Sequence, residues 1–94
     1  MIRESNDRLY VNGPVTLENV MQIVEAGARY LDGTPKVFDF SEVSEIDSAA
    51  VSLMLEWSRR ARASGAQVRF ANPGESIRSL IDLYGVADLI QLDA

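Results

Sequence analysis

At 94 residues the chain has room for one domain around a single modest core. Its formal net charge of −5 argues against nucleic acid, which is bound by Lys and Arg meeting phosphates. The sequence holds no Cys and no His, which removes disulfides, thiolate and imidazole metal sites, and the usual nucleophile–base pairs.

The elements follow in chain order. Ile2 to Glu4 and Arg8 to Asn12 read as short strands, joined by a turn at Ser5-Asn6-Asp7, and Gly13-Pro14 ends the second. Thr16 is placed to cap a helix whose inner face is Leu17, Val20, Met21, Val24, Ala28 and Leu31, closed by Asp32-Gly33. Lys36 to Phe40 is a mostly apolar strand. An acidic stretch leads to a second helix over Ser48–Ser64, ended by Gly65, and Gln67 to Ala71 is another strand. Asn72-Pro73-Gly74-Glu75 is a helix start with Asn as cap and Pro at the first helical position. Ile77, Leu80, Ile81 and Tyr84 form the buried face of that helix, Gly85 stops it, and Leu89 to Leu92 is a last strand. The order β-β-α-β-α-β-α-β predicts an α/β domain over residues 1–94, with right-handed crossovers and a largely parallel sheet of four to five strands.

The start, Met1-Ile2-Arg3-Glu4-Ser5-Asn6-Asp7, is polar, so no export signal is expected. The most apolar window, Ala49 to Leu55, is broken by Ser52 and is far shorter than the roughly 18–20 residues of a membrane span. Insertion into a bilayer is therefore not expected.

The second helix separates into two faces when each residue is advanced by about 100°. Ala50, Met54, Trp57 and Ala61 form a core stripe flanked by Val51 and Leu53. Ser48, Ser52, Leu55, Glu56 and Arg59 share the far side, with Glu56 and Arg60 spaced for an ion pair. A solvated face would carry Glu and Lys. Small hydroxyls around one large aliphatic suit a docking surface, although Leu55 could equally pack against a neighbouring helix or be an ordinary exposed leucine. Such a face can also pair with a second copy, so a homodimer in isolation is compatible with it.

Ser48 has two compatible readings: a phosphate acceptor at a helix N-terminus, or part of a cap that Asp47 or Ser48 supplies. The carboxylates Asp39, Glu42, Glu45 and Asp47 fall within nine residues and read either as a Mg²⁺ site or as a solvated loop with a cap. Ser48 lacks a Gly-x-Ser-x-Gly elbow and a His, and the chain has no phosphate-cradling glycine loop, so neither hydrolysis nor nucleotide binding is expected. No cofactor and no catalytic residue is expected. Trp57 and Tyr84 read as packing rather than as a pocket wall.

A strand, an acidic segment, Ile46-Asp47-Ser48 opening an apolar helix, then Gly65 and a further strand resembles the STAS domain over nearly the whole chain. Two branches are relevant. In anti-sigma factor antagonists a kinase phosphorylates the serine that matches Ser48, followed there by a small residue and Gly-Leu-Gly. Here Ala49-Ala50-Val51-Ser52 follows. The chain is more similar to the small STAS subunit of the Mla phospholipid-transport ABC complex. That likeness is carried by Val11-Asn12-Gly13-Pro14-Val15-Thr16, by Val43 through Val51, by Leu53-Met54-Leu55-Glu56-Trp57 and by Leu83-Tyr84-Gly85-Val86. It implies a non-catalytic subunit that docks on the cytoplasmic ATPase of the transporter, peripheral to the inner membrane, with Ser48 at the contact. An anti-sigma factor and a serine kinase are the partners implied by the other branch.

Overall fold

The protein, seen as a computed structural model, is described over residues 1–93. The first two strands, β1 (Ile2–Ser5) and β2 (Arg8–Val15), form an antiparallel hairpin. Its two-residue turn holds Asn6 and Asp7 at φ 53° and 65°, the left-handed pair that matches the twist of the strands. Then come α1 (Val20–Ala28), β3 (Lys36–Ile46), α2 (Ala49–Ala63), β4 (Val68–Ala71), α3 (Gly74–Tyr84) and a 3₁₀ turn at Ala87–Leu89. The sheet order is β1-β2-β3-β4, with β2–β3 and β3–β4 parallel.

Alternation along the strands makes the sheet two-faced. Leu9, Val11, Phe38, Phe40, Val68 and Phe70 enter the core. Arg3, Arg8, Tyr10, Asp39 and Arg69 belong to the opposite parity and carry the polar face. The core centres on Trp57, fully buried, whose ring stacks on Phe38 at 4.0 Å between centroids and whose indole N–H donates to the Val24 carbonyl at 3.0 Å. The stripe Ala50, Met54, Trp57 and Ala61 is buried with Val51 and Leu53, as the helical angles predict.

Several local expectations are corrected. Helix α1 begins at Val20, not after Thr16. Asn19 folds its side chain back, accepting from the Thr16 amide (2.9 Å) and donating to the Pro14 carbonyl (3.0 Å), so residues 16–19 form a turn instead. The inner face of α1 is then Ile23, Val24 and Gly27. Leu17 and Met21, expected inside, are 78 % and 68 % exposed, and the helix ends at Ala28. The acidic stretch expected as a loop is the second half of β3, paired with β2 as far as Ile46 through two register shifts; β2 likewise continues past Gly13-Pro14 to Val15.

Asn72 does not cap α3. It sits at φ 53° and donates to Asp39, while Pro73 takes the cap position and Gly85, at φ 67°, closes the helix. On α3 Ile77 and Ile81 are buried and Leu80 partly so, whereas Tyr84 is half exposed. The expected last strand is a single parallel bridge, Phe70 to Leu92, following the 3₁₀ turn. No helix among the described residues is long and apolar enough to cross a membrane.

Candidate functional site

The junction of β3 and α2 is built by Asp47. One carboxylate oxygen accepts the Ala49 amide at 2.8 Å, and the other accepts the Leu17 amide at 2.9 Å. It therefore supplies the capping acceptor for α2 and ties the turn before α1 to the start of α2. Ser48, next in the chain, already has helical dihedrals (φ −61°, ψ −18°) and its hydroxyl makes no capping bond. Of the two caps open on spacing alone, Asp47 is the one the geometry uses. The Ser48 side chain is left exposed at the helix mouth.

The remaining residues of the expected surface differ in availability. Ser52 and Arg59 are exposed, as angular position predicts. Leu55 is only partly exposed and packs against the core cluster. Glu56 is half-buried and saturated. It accepts from Arg59 Nε and Nη2 at 3.0 and 2.6 Å and from Arg60 Nε at 2.7 Å, and Arg60 continues to Glu25 at 3.0 Å. Hydrogen bonds from Arg59 and then Arg60 hold its carboxyl at about 2, well below the ordinary glutamate value. The face therefore offers two free hydroxyls, Ser48 and Ser52, beside a braced, charge-neutralised patch.

Sequence reasoning missed Leu17 and Met21. Both are exposed, and Met21, Val20 and Val24 of α1 line a largely apolar groove of about 320 Å³ with Ser52, Leu53 and Glu56 of α2. A signal existed in Gly27: a Cβ there would collide with the Trp57 ring, so α1 must present its Gly27 side to α2. That rotation, about 60° from the expected stripe, turns Met21 outward.

The four carboxylates grouped by sequence do not converge. Asp39 turns into the sheet, 2 % exposed, with Oδ2 accepting from Arg8 (2.8 Å) and Asn72 (3.0 Å) and Oδ1 from the Ser41 amide (2.8 Å). Burial would raise its carboxyl, but hydrogen bonds from Ser41, Arg8 and Asn72 outweigh burial and hold it below the usual range. Glu42 pairs with Arg3, Asp47 is committed to two amides, and Glu45 is exposed. No group of three metal-ligating side chains occurs among the described residues. Trp57 is core, and Tyr84 lies on the surface.

Comparison with known proteins gives two kinds of likeness. The family model described as Mlab, STAS domain matches residues 2–91. Among solved structures, the anti-sigma factor antagonist SpoIIAA in its unphosphorylated form superimposes with a TM-score of 0.72 at 18 % identity, covering 100 % of this chain and 87 % of that one. A putative anti-sigma factor antagonist from Thermotoga maritima gives 0.73 at 16 % identity, covering 100 % and 86 %. The phosphorylated form of the Bacillus cell fate determinant SpoIIAA gives 0.66 at 18 %, covering 100 % and 90 %. At these identities the structures speak to the fold. No curated protein matches the sequence significantly.

Proposed function

The chain belongs to the STAS domain family, and from that premise we propose that it is a non-catalytic adaptor which binds the cytoplasmic ATPase subunit of an Mla-type phospholipid-transport ABC complex through the outer face of α2. The observation that carries this reading is the pairing of two unengaged hydroxyls, Ser48 and Ser52, with a fixed Glu56–Arg59–Arg60 patch. Because Asp47 already satisfies the helix start, Ser48 has no capping duty and is free for intermolecular contact. The groove between α1 and α2 extends the face with exposed apolar surface at Leu17 and Met21. A rigid, preorganised patch loses little conformational entropy on docking. The adaptor would alter ATP turnover by binding one conformation of the ATPase better than another, and so support assembly and activity of the transporter and the lipid asymmetry it maintains. In that setting it would be cytoplasmic and peripheral to the inner membrane.

Co-purification with the Mla-type ATPase tests this. Ser48→Arg and Ser52→Arg place a long cation on exposed positions and leave the fold intact, and each is expected to abolish capture. Unchanged capture by both variants would remove the α2 face from the interface. Leu55→Asp is unsuitable, since Leu55 packs on the core.

A second reading has its own observation. The structural neighbours are anti-sigma factor antagonists, one of them solved with and without phosphate, and Ser48 presents a free hydroxyl at the start of α2. On this reading a serine kinase phosphorylates Ser48 and release from an anti-sigma factor follows. Incubation with the cognate kinase should then add one phosphate, lost in Ser48→Ala; a kinase active on its own substrate that leaves this chain unmodified would exclude it.

A further inference from the structure

β3 outlasts the strand beside it. β4 pairs only with Lys36–Asp39, whereas β2 pairs with β3 as far as Ile46. Beyond Ala71 the chain turns away at Asn72 (φ 53°) into α3. The edge of β3 from Phe40 to Glu45 on the β4 side therefore has no strand against it. The Ser41 amide is met by Asp39 Oδ1, and among the described residues no backbone group from outside the strand ladder meets this edge. At about 3.3 Å per residue the free edge is about 17–20 Å long, the length of an ordinary strand. The register shifts in this half place extra residues in β3 opposite Tyr10–Asn12 and Gly13–Pro14. Such bulges bend the strand that carries them and increase its local twist.

A groove of about 480 Å³ lies between this edge and the first turn of α3. Phe40, Val43 and Ile77 give it apolar lining. The charged side chains that line it are Glu45 and Glu75; both are acidic and exposed, and neither has an ion-pair partner among the described residues.

We propose that this edge accepts one extended segment of a partner protein as an added strand, with Lys or Arg side chains meeting Glu45 and Glu75. Unpaired backbone groups recognise an extended chain and offer nothing to a docked helix. Two unpaired carboxylates select basic side chains over acidic ones. A second copy of this chain is disfavoured, because it would bring Glu45 and Glu75 toward like charges. The site does not depend on which protein occupies the α2 face.

The test uses the full chain, labelled with ¹⁵N, and the capped peptide acetyl-Lys-Thr-Lys-Val-Lys-Thr-Lys-amide. The proposal expects saturable amide shifts confined to residues 40–46 and 72–77. It expects at least a tenfold loss of affinity in the double variant Glu45→Lys/Glu75→Lys, whose exposed positions leave the fold unchanged. It also expects a comparable loss when alternate peptide amides are N-methylated, because the added strand then cannot complete its hydrogen bonds. Absence of shifts at millimolar peptide, shifts mapping to α2 instead, or equal binding by the N-methylated peptide or by one with Glu in place of Lys would each overturn it.

Discussion

Asp39 shows how a single carboxylate can be structural in a segment that looks functional. A buried charge persists when paired and hydrogen-bonded, and Asp39 has Arg8, Asn72 and the Ser41 amide. Asp39→Ala strands the Arg8 guanidinium and the Asn72 amide, and is expected to cost about 2–3 kcal/mol in urea unfolding. That is less than for a fully buried pair, because Arg8 is 35 % exposed and can rehydrate. The pH dependence follows from the lowered carboxyl. Its stabilisation is complete above the unfolded aspartate pKa and is lost as pH falls through the lower folded value. Asp39→Asn should therefore flatten the acid limb of the stability curve, and an unchanged limb would assign acid sensitivity to other groups. Glu56 behaves likewise on the surface. Held at about 2 by Arg59 and Arg60, its carboxyl should titrate by NMR well below pH 4, and Arg60→Gln should move the midpoint upward. A midpoint unmoved by Arg60→Gln would show that the brace seen at 2.7 Å is not maintained in solution.

At the scale of elements, the crossing of α1 over α2 rests on Gly27. Glycine inside a helix costs about 1 kcal/mol relative to alanine, so propensity alone favours Gly27→Ala. The added Cβ would strike the six-membered ring of Trp57, which stacking on Phe38 and the bond to Val24 hold in place. Gly27→Ala is thus expected to lower stability by about 1–3 kcal/mol, the range for an overpacked core, and a thermal melt that rises instead would refute the fixed crossing. Periodicity made α2 legible because its core stripe is long and apolar all along. It misplaced α1 because Leu17 and Met21 imitate a buried stripe, and the true contact is made by a residue with no side chain. The second half of β3 escaped because Ser, Glu and Val in that order satisfy neither alternation nor apolar continuity; backbone pairing to β2 and two bulges make it a strand. Likewise Asn72 reads as a cap by type, and only the tertiary fold brings Asp39 within 3.0 Å of it.

The whole molecule is a two-layer domain whose polar sheet face is locked by Arg8, Asp39 and Asp93, and whose helical layer presents the α2 ridge and the α1–α2 groove. The fold class and seven of its elements could be read from hydrophobic pattern and turn residues, because those depend on local chemistry. Which site residues are free could not, because freedom depends on what others have already satisfied. Asp47 releases Ser48, and two arginines consume Glu56. On the proposed function, this protein acts by contact through the α2 face. Cross-saturation NMR on the labelled chain bound to the Mla-type ATPase subunit tests it most directly. Saturation is expected to concentrate at Ser48, Ser52 and Arg59 with Leu17 and Met21 beside them; saturation confined to surfaces away from α2 would refute docking through this face.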